Sequence, residues 1–430
     1  MTTLLMEGSQ RPSGRVCVSG AKNSALCLLA AAALSRERVR LGGFPTDLVD
    51  AREQIRFMTD LGAALEVDDV SDTVDIRALE FRSDEGAAYD HAFRVTYLYM
   101  ASQIARTGRA SIPYPGGCRL GDRKHDIHLD IWRRMGLDVR EEAARISAEG
   151  RLRGASIELP ISTVGGTENA LLCGAAAQGL SVIRNAYVTP EVRDLIDLLI
   201  RMGARIEWRG GRTITLEGRP EGLDGAVHTV MPDRIEAMTW IIYAALSGGR
   251  IAVSNVAVDD LQVPLIHLKE AGIDAQADEG IVQIGPESIH PEGIQPFDVA
   301  CGAHPGVHTD MQPFFVLLAL GAEGRSLVVD YRYPDRVAYL AELQKMVRPP
   351  GALAWADGRI TIAGPQRLRG APVEATDLRG GMALVLAALL AEGPSEISRF
   401  EMVLRGYNRL LAKLRGLGLT VTEIPAQDRA

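Results

Sequence analysis

Long hydrophobic runs, aromatic residues and cysteines are all scarce in this chain, and each scarcity excludes a class of protein. The longest apolar run, residues 25–34, is about half the length needed to cross a bilayer. The first residues lack the basic start and apolar stretch of an export signal. We therefore expect a cytoplasmic protein with no membrane partner. Because aromatic residues make up only 5% of the chain, its interior must be built mainly from Ala, Leu, Val and Ile.

The five cysteines are an odd number without a CxxC pair or metal-ligand spacing, which is typical of a reducing compartment. Cys27 and Cys173 lie in Ala- and Leu-rich helical stretches, and Cys17 alternates with valines in a strand-like stretch. We predict that these three are small core residues. The pattern around Cys301 leaves its role undecided.

The chain also lacks a positive charge excess. Its net charge is −8 and lysine is scarce, so there is no electrostatic reason to expect a nucleic-acid partner. Any site for an anion must instead be a local cluster of arginine and lysine.

One structural unit recurs six times along the chain. Each copy reads as an apolar helix, a short strand, a loop, a second helix that ends at a glycine, and a further strand. The glycine is expected to end the helix because it adopts the left-handed conformation at little cost. The first helices begin near Lys22, Arg94, Gly165, Asp233, Thr309 and Asp377. The second helices end at Gly62, Gly136, Gly203, Gly272 and Gly418, while the fifth copy is irregular.

A chain of 430 residues is too long for one hydrophobic core. A unit of alternating helices and strands cannot bury its faces alone, so the copies must share cores. Three copies in each of two domains is the natural division, which predicts an α/β (α+β) fold.

The segment 111–128 departs from the repeat, because the second copy is the longest and its surplus lies here. Prolines and glycines forbid regular structure just before Cys118, and basic or protonatable side chains follow at Arg119, Arg123, Lys124 and His125. A thiol on a loop among cations is a reactive thiol. We therefore predict a function for this loop.

Charged residues recur where the first helices begin. Lys22 opens an otherwise apolar helix, which is unfavourable for the helix dipole unless an anion is bound there; the alternative is a solvated lysine at a helix edge. If the copies are equivalent, their helix starts gather around a common axis in each domain, and charge lines the gap between domains. The cations predicted to form this anion pocket are Lys22, Arg94, Arg123, Arg336, Arg379 and Arg405.

Asp310 is the best candidate for a general base, although a carboxylate at a helix start can also serve as a cap. His125, His128, His304 and His308 lie in different copies and lack the spacing of a helical zinc motif. We therefore predict no metal.

Several long motifs, in order and spanning nearly the whole chain, resemble those of the enolpyruvyl transferases. They are Ser19-Gly-Ala-Lys-Asn23, Pro115-Gly-Gly-Cys118 with Gly121, Arg123, Asp126 and His128, Val164-Gly-Gly-Thr167, Pro232-Asp-Arg-Ile-Glu236, Thr309-Asp-Met-Gln312, Ala375-Thr-Asp-Leu-Arg379 and Arg405-Gly-Tyr407. The resemblance implies a two-domain inside-out α/β barrel of six repeated units, three per domain, with the active site in the interdomain cleft. We place domain I at residues 22–231 and domain II at residues 1–21 plus 232–430.

The resemblance also implies the reaction: an acceptor hydroxyl adds to C2 of phosphoenolpyruvate, and phosphate is then lost, without any cofactor. Cys118 would act as the acid near C3 and Asp310 would take the acceptor's proton. Lys22, Arg123 and Arg405 would hold the phosphate, and Arg94, Arg336 and Arg379 would complete the anion pocket. The residues implied to bind a uridine nucleotide are Asn23, Arg123, Asp126, Val164, Gly165, Thr309 and Asp310.

The default acceptor implied is the 3-hydroxyl of UDP-N-acetylglucosamine, a precursor of peptidoglycan. Some positions depart from the family's pattern and leave fewer residues to contact the sugar and the diphosphate. These departures are Leu98, Ile161, Val188-Thr189-Pro-Glu191, Tyr333-Pro-Asp-Arg336 and Val403-Leu404. They leave open a related acceptor such as UMP, used in the biosynthesis of nucleoside antibiotics. An enzyme like 5-enolpyruvylshikimate-3-phosphate synthase and a non-enzymatic clamp around DNA are more distant alternatives. The sequence does not indicate an oligomeric state.

Overall fold

The structure is a computed structural model that describes residues 2–82, 94–113, 125–142, 145–349 and 351–425. The chain forms two compact units. Unit I comprises the described residues between 20 and 231, and unit II comprises residues 2–19 together with the described residues from 232 to 425. Each unit has its own hydrophobic core. Across the described ranges, no helix combines the length and the apolar character that a membrane span requires.

Helices and strands alternate along both units. The helices are α1 (Lys22–Ala32), α2 (Val49–Asp60), α3 (Met100–Thr107), α4 (Asp126–Arg134), α5 (Val164–Ala175), α6 (Pro190–Arg201), α7 (Arg234–Ser247), α8 (Gln262–Glu270), α9 (Gln312–Leu320), α10 (Ala338–Gln344), α11 (Leu378–Leu390), α12 (Glu401–Leu404) and α13 (Leu410–Gly416). Short 3₁₀ turns at Arg94–Tyr99 and Thr309–Met311 lead into α3 and α9.

The strands are β1 (Thr3–Glu7), β2 (Ser13–Cys17), β3 (Val39–Gly42), β4 (Ala64–Asp68), β5 (Thr73–Arg77), β6 (Arg109–Pro113), β7 (Leu137–Glu141), β8 (Arg145–Gly150), β9 (Ser156–Glu158), β10 (Leu180–Arg184), β11 (Arg205–Trp208), β12 (Ile214–Glu217), β13 (Ala226–Thr229), β14 (Arg250–Ser254), β15 (Gln276–Asp278), β16 (Ile281–Ile284), β17 (Asp298–Gly302), β18 (Val307–His308), β19 (Arg325–Asp330), β20 (Leu353–Ala356), β21 (Arg359–Ala363), β22 (Pro372–Glu374), β23 (Pro394–Ser398) and β24 (Val421–Ile424).

The described strands form six sheets, three in each unit. In the first sheet of unit I, β13 pairs in parallel with β3, which continues through antiparallel β5 to β4. The same arrangement of a parallel pair followed by an antiparallel hairpin recurs as β9, β10, β12 and β11 and as β2, β14, β16 and β15. Parallel neighbours need a crossover connection, which a helix supplies. The mixed α/β fold and the repeated unit predicted from the sequence are confirmed.

The first helix of a copy is apolar on all sides because it lies in the middle of a unit. Helices α9 and α11 are buried along nearly their whole length, and they pack against each other and against α7. A helix without a polar face is stable only when surrounded by protein. The sheets therefore lie outside the central helices of each unit.

The helix-ending glycines lie at the predicted positions. Gly62, Gly136, Gly203, Gly272 and Gly418 all have φ between +79° and +98°. In the fifth copy α10 ends earlier, at Gln344, and the left-handed glycine is Gly351.

The cysteine predictions are partly right. Cys27 and Cys173 are buried as predicted, whereas Cys17 is exposed. Cys301, whose role the sequence left undecided, is also buried. The prediction for Cys17 was wrong because strand neighbours point to opposite faces: Val16 and Val18 are buried, and Cys17 between them faces outward.

Candidate active site

The amino-terminal ends of the central helices of unit II bring three carboxylates together. Asp233 precedes α7 and Asp377 precedes α11, and each carboxylate accepts two backbone N–H bonds of the helix that follows. Asp310 lies in the 3₁₀ turn before α9. Two buried arginines connect these three helix starts, as the equivalence of the repeats predicts for this unit.

Arg336 joins the starts of α9 and α11. Its Nη1 donates to Asp310 Oδ1 at 2.6 Å and to the backbone oxygen of Thr309 at 3.2 Å, and its Nη2 donates to Asp377 Oδ1 at 3.2 Å. The residue is 2% exposed. A buried guanidinium is stable only with such partners, so its position is well determined.

Arg379 joins the starts of α7, α9 and α11. Its Nη2 lies 3.5 Å from Asp233 Oδ2 and its Nε lies 3.6 Å from Asp310 Oδ2. The ring of Tyr407 lies 5.0 Å from the guanidinium carbon, a cation–π contact, and the Tyr407 hydroxyl bonds to Thr239. The planar cation is thus held on its face and at its edge.

Asp310 does not cap its helix turn. That role belongs to His308, whose Nδ1 accepts the backbone N–H of Asp310 at 3.1 Å. Burial by itself would raise the pKa of Asp310, but Arg336, His308 and Arg379 together hold that pKa well below its ordinary value. The carboxylate is therefore ionised and directed at cations rather than at the backbone.

Neighbouring residues keep this cluster in place. Thr309 is buried, and its hydroxyl bonds to the Asp330 carboxylate at the end of β19. Asp330 also accepts the backbone N–H groups of Arg332 and Tyr333, which orders the turn leading to Arg336. Arg405 follows α12 and is half-buried.

In unit I, Lys22 begins α1 and is paired with a carboxylate. Its Nζ lies 2.6 Å from Asp50 Oδ2, and both side chains are nearly buried. The first turn of α2 thus gives this lysine a carboxylate partner within unit I. Asn23, the next residue, is exposed.

The candidate nucleotide residues of unit I also lie near one another. Asp126 begins α4 and is exposed, and Val164 and Gly165 begin α5. A side-chain carbon built on Gly165 would lie 3.5 Å from Cε1 of His128, so the start of α5 faces the first turn of α4. His128 stacks on Tyr97, with ring centroids 4.2 Å apart.

A group of buried carboxyls lies behind the start of α1. Burial, and then the nearby Glu191 carboxylate, raise the pKa of Glu168 to about 8. Asp194 bonds to the hydroxyl of Ser24 and, at 2.8 Å, to Nε2 of His228. None of these groups was predicted from the sequence as part of the site.

Two predicted residues, Cys118 and Arg123, lie outside the described residues, as does the side chain of Arg94. The sequence interpretation also missed Asp50, Asp233 and Asp377 as partners of the predicted cations. An aspartate immediately before an apolar helix is a recognisable cap signal, which could have identified Asp233 and Asp377. No local signal links Asp50 to Lys22.

Comparison with known proteins relates this chain to one family. The family model described as EPSP synthase (3-phosphoshikimate 1-carboxyvinyltransferase) matches residues 6–414. A UDP-N-acetylglucosamine 1-carboxyvinyltransferase 2 of Streptococcus mutans is 38% identical over 426 residues, covering 98% of this chain and 99% of the relative. One of Listeria monocytogenes is 37% identical over 424 residues, covering 97% of each chain.

Solved structures show the same relationship. The enolpyruvyl transferase NikO from Streptomyces tendae superimposes with a TM-score of 0.85 at 26% identity and covers 99% of both chains. EPSP synthase from Acinetobacter baumannii, at 17% identity and a TM-score of 0.73 over 99% of this chain and 100% of that one, shares the fold. With the family match, the full-length relatives and these structures in agreement, this chain belongs to the enolpyruvyl transferase family and is an enzyme of that class.

Proposed function

We propose that this enzyme transfers the enolpyruvyl group of phosphoenolpyruvate to the 3-hydroxyl of UDP-N-acetylglucosamine, in the cytoplasm, with release of phosphate. The observation that carries the proposal is the pair of buried arginines around Asp310. Arg336 and Arg379 are 2% and 1% exposed, and among the described residues neither Nε has a hydrogen-bond partner. Two buried cations with free hydrogen-bond donors suit an anionic donor substrate. The carboxylate beside them suits an acceptor substrate that has a hydroxyl group to deprotonate.

The donor needs such a site because phosphoenolpyruvate carries a carboxylate and a phosphate. Planar guanidinium groups bind carboxylates in a bidentate manner, so Arg336 and Arg379 suit the donor's carboxylate. We propose that Lys22, Arg123 and Arg405 hold its phosphate and that Arg94 completes the pocket. A site that excludes water strengthens each of these attractions.

The proposed reaction has two steps. In the first step the oxygen of the acceptor hydroxyl bonds to C2 of the donor while Asp310 takes the proton of that hydroxyl. Cys118 gives a proton to C3. The second step expels phosphate from C2 and removes a proton from C3, which restores the double bond in the product. Asp310 and Cys118 are general acid–base groups of the kind that contribute on the order of a hundredfold or more each.

The acceptor is proposed from the relatives of Streptococcus mutans and Listeria monocytogenes, whose names specify UDP-N-acetylglucosamine. In unit I the uridine part would meet Asp126 and the start of α5, while Asn23, Thr309 and Asp310 would meet the sugar. These residues are present and described, and the contacts are part of the proposal.

A second acceptor, UMP, is favoured by one observation. Ile161 lies three residues before α5 and is 55% exposed, so an apolar side chain faces solvent beside the proposed nucleotide site. It offers no charge to a diphosphate. A nucleoside monophosphate carries less negative charge than a nucleoside diphosphate and therefore needs fewer cationic side chains at this position.

Phosphate release distinguishes the two acceptors. The purified enzyme is incubated with phosphoenolpyruvate and either UDP-N-acetylglucosamine or UMP, and we expect release with the amino-sugar nucleotide. Asp310→Asn should lower turnover at least on the order of a hundredfold, whereas Asp357→Asn, a control in an exposed turn of unit II, should not. Phosphate release with UMP alone would show that UMP, and not UDP-N-acetylglucosamine, is the acceptor. No phosphate release with either nucleotide would overturn the proposed function.

A further inference from the structure

Asp310 is surrounded by cations in a way that conflicts with its proposed role as a base. Arg336 donates to one carboxylate oxygen at 2.6 Å, and Arg379 lies 3.6 Å from the other. A carboxylate in such contacts has little tendency to accept a proton. The enzyme therefore needs a means of weakening these contacts when the substrates are bound.

The same arginines retain free hydrogen-bonding capacity. Within the described structure, Nε of Arg336 lacks a hydrogen-bond partner, and Nε of Arg379 has only the 3.6 Å contact with Asp310 Oδ2, although both side chains are buried. Leaving a buried donor unsatisfied is costly. Donors left unsatisfied on two adjacent cations indicate a site that an anion completes.

We propose that the donor's carboxylate, on binding Arg336 and Arg379, draws them away from Asp310 and thereby switches Asp310 from a clamped anion to a proton acceptor. This inference rests on the proposed function, because it takes a carboxylate-bearing donor. A second negative charge beside a carboxylate disfavours its ionised form. The base thus becomes effective only when there is a C2 atom for the deprotonated hydroxyl to attack.

Other charged groups around Asp310 contact the same two arginines or lie next to Asp310. Asp377 holds Arg336, and Asp233 holds Arg379; Asp330 holds Thr309 beside it. Asp377 and Asp233 each anchor one arginine, and Asp310 is the carboxylate that both arginines contact. His308, next to Asp310, is a cation only when protonated, and the Tyr407 ring covers Arg379.

The proposal predicts a reciprocal effect that needs no turnover. If the donor's carboxylate raises the pKa of Asp310, protonation of Asp310 must strengthen carboxylate binding by the same factor. Pyruvate is a suitable probe because it has the donor's carboxylate and no titrating phosphate. The dissociation constant of pyruvate is measured calorimetrically between pH 7.5 and pH 4.5, in the wild-type enzyme and in Asp310→Asn.

We expect the wild-type enzyme to bind pyruvate at least about threefold more tightly at the lower pH. Asp310→Asn should bind at pH 7.5 more tightly than the wild type and with little dependence on pH, because the competing charge is gone. Asp357→Asn should behave as the wild type. His308→Gln, which removes the neighbouring imidazole, should keep a dependence on pH.

A pH dependence that survives in Asp310→Asn but disappears in His308→Gln would overturn the proposal, because the histidine would then be the titrating group. Absence of pyruvate binding would also overturn it, since no carboxylate site would exist. These outcomes are independent of phosphate release. An enzyme that shows the linkage without turnover would contradict the proposed function alone.

Discussion

Glu168 is a carboxyl group that the fold buries beside a second carboxyl, and it has no role in the proposed reaction. It lies on α5 in the core of unit I, next to Glu191 on α6, and it bonds to the Cys27 thiol. Burial and Glu191 raise its pKa to about 8, so it is protonated in the folded protein at neutral pH. In the unfolded chain the same group ionises near pH 4.3.

The sign of its effect on stability follows from this difference. Between about pH 4.3 and pH 8 the folded state binds more protons than the unfolded state, so the free energy of unfolding falls as pH rises. We expect Glu168→Gln, which keeps the shape and stays neutral, to match the wild type near pH 5. Near pH 8 it should be more stable by a few kcal/mol.

The measurement is the denaturation midpoint at several pH values. Glu158→Gln is the control, because Glu158 lies on β9 of the same unit and is exposed. Its pH profile should follow that of the wild type. Equal profiles for Glu168→Gln and the wild type would show that Glu168 does not stay protonated in the folded chain.

Single residues were predictable where their chemistry was unusual for their place in the sequence. Lys22 at the start of an apolar helix and Asp310 before another could be selected as site candidates from the sequence alone. Their partners could not: Asp50 is 28 residues from Lys22 and on a different helix, and Arg336 lies in an irregular turn. Such pairs form only when the tertiary structure brings distant segments together.

At the scale of elements, the left-handed glycine is the feature that the repeat reproduces most faithfully. At the end of α13 the N–H of Gly418 donates to the oxygen of Arg415, and the N–H of Leu419 donates to the oxygen of Leu414. This is the Schellman arrangement. The same pair of bonds ends α2, through Gly62 and Ala63.

Two glycines near this helix end allow a matched test. Gly418 has a φ of +79°, whereas Gly416 is the last residue of α13, and an added side-chain carbon would meet no atom within 4 Å at either position. Only backbone conformation separates them. We expect Gly418→Ala to lower the free energy of unfolding by about 1–2 kcal/mol and Gly416→Ala to raise it by up to about 1 kcal/mol.

Denaturant unfolding of the two variants checks this prediction. Gly418→Asn should recover part of the loss, since asparagine tolerates the left-handed region. Changes of the same sign at both positions would mean that an interaction other than the backbone conformation determines the result.

Helix starts and ends were predictable from the sequence for a related reason. Apolar spacing, charged helix starts and terminal glycines are local signals, and six copies repeat them. The fifth copy shows the limit, because its glycine lies beyond Arg348 and Pro349, and α10 is short. The face of a strand is harder to predict, as Cys17 shows, since the partner that covers it comes from elsewhere in the chain.

At the scale of the whole molecule, the described residues of unit I lie between positions 20 and 231 of the chain, between the two parts of unit II. The two ends of unit I are neighbours, since the N–H of Ala21 donates to the oxygen of Met231 at 2.7 Å. In unit II the corresponding ends are also neighbours, since the N–H of Asp233 donates to the oxygen of Ser19 at 2.8 Å. If unit I is cut out of the chain, the two ends of unit I lie close together, and so do the two cut ends of unit II.

We expect residues 20–231 to fold when produced alone, because unit I has its own hydrophobic core and three described sheets. The isolated segment should unfold cooperatively in denaturant. Leu171→Ala removes a side chain that is 0% exposed in that core, which typically costs about 2–5 kcal/mol. If the core is independent, the substitution should cost the same in the isolated segment as in the unit I transition of the full chain. A segment that stays soluble but unfolds without a cooperative transition would show instead that unit I depends on unit II for its stability.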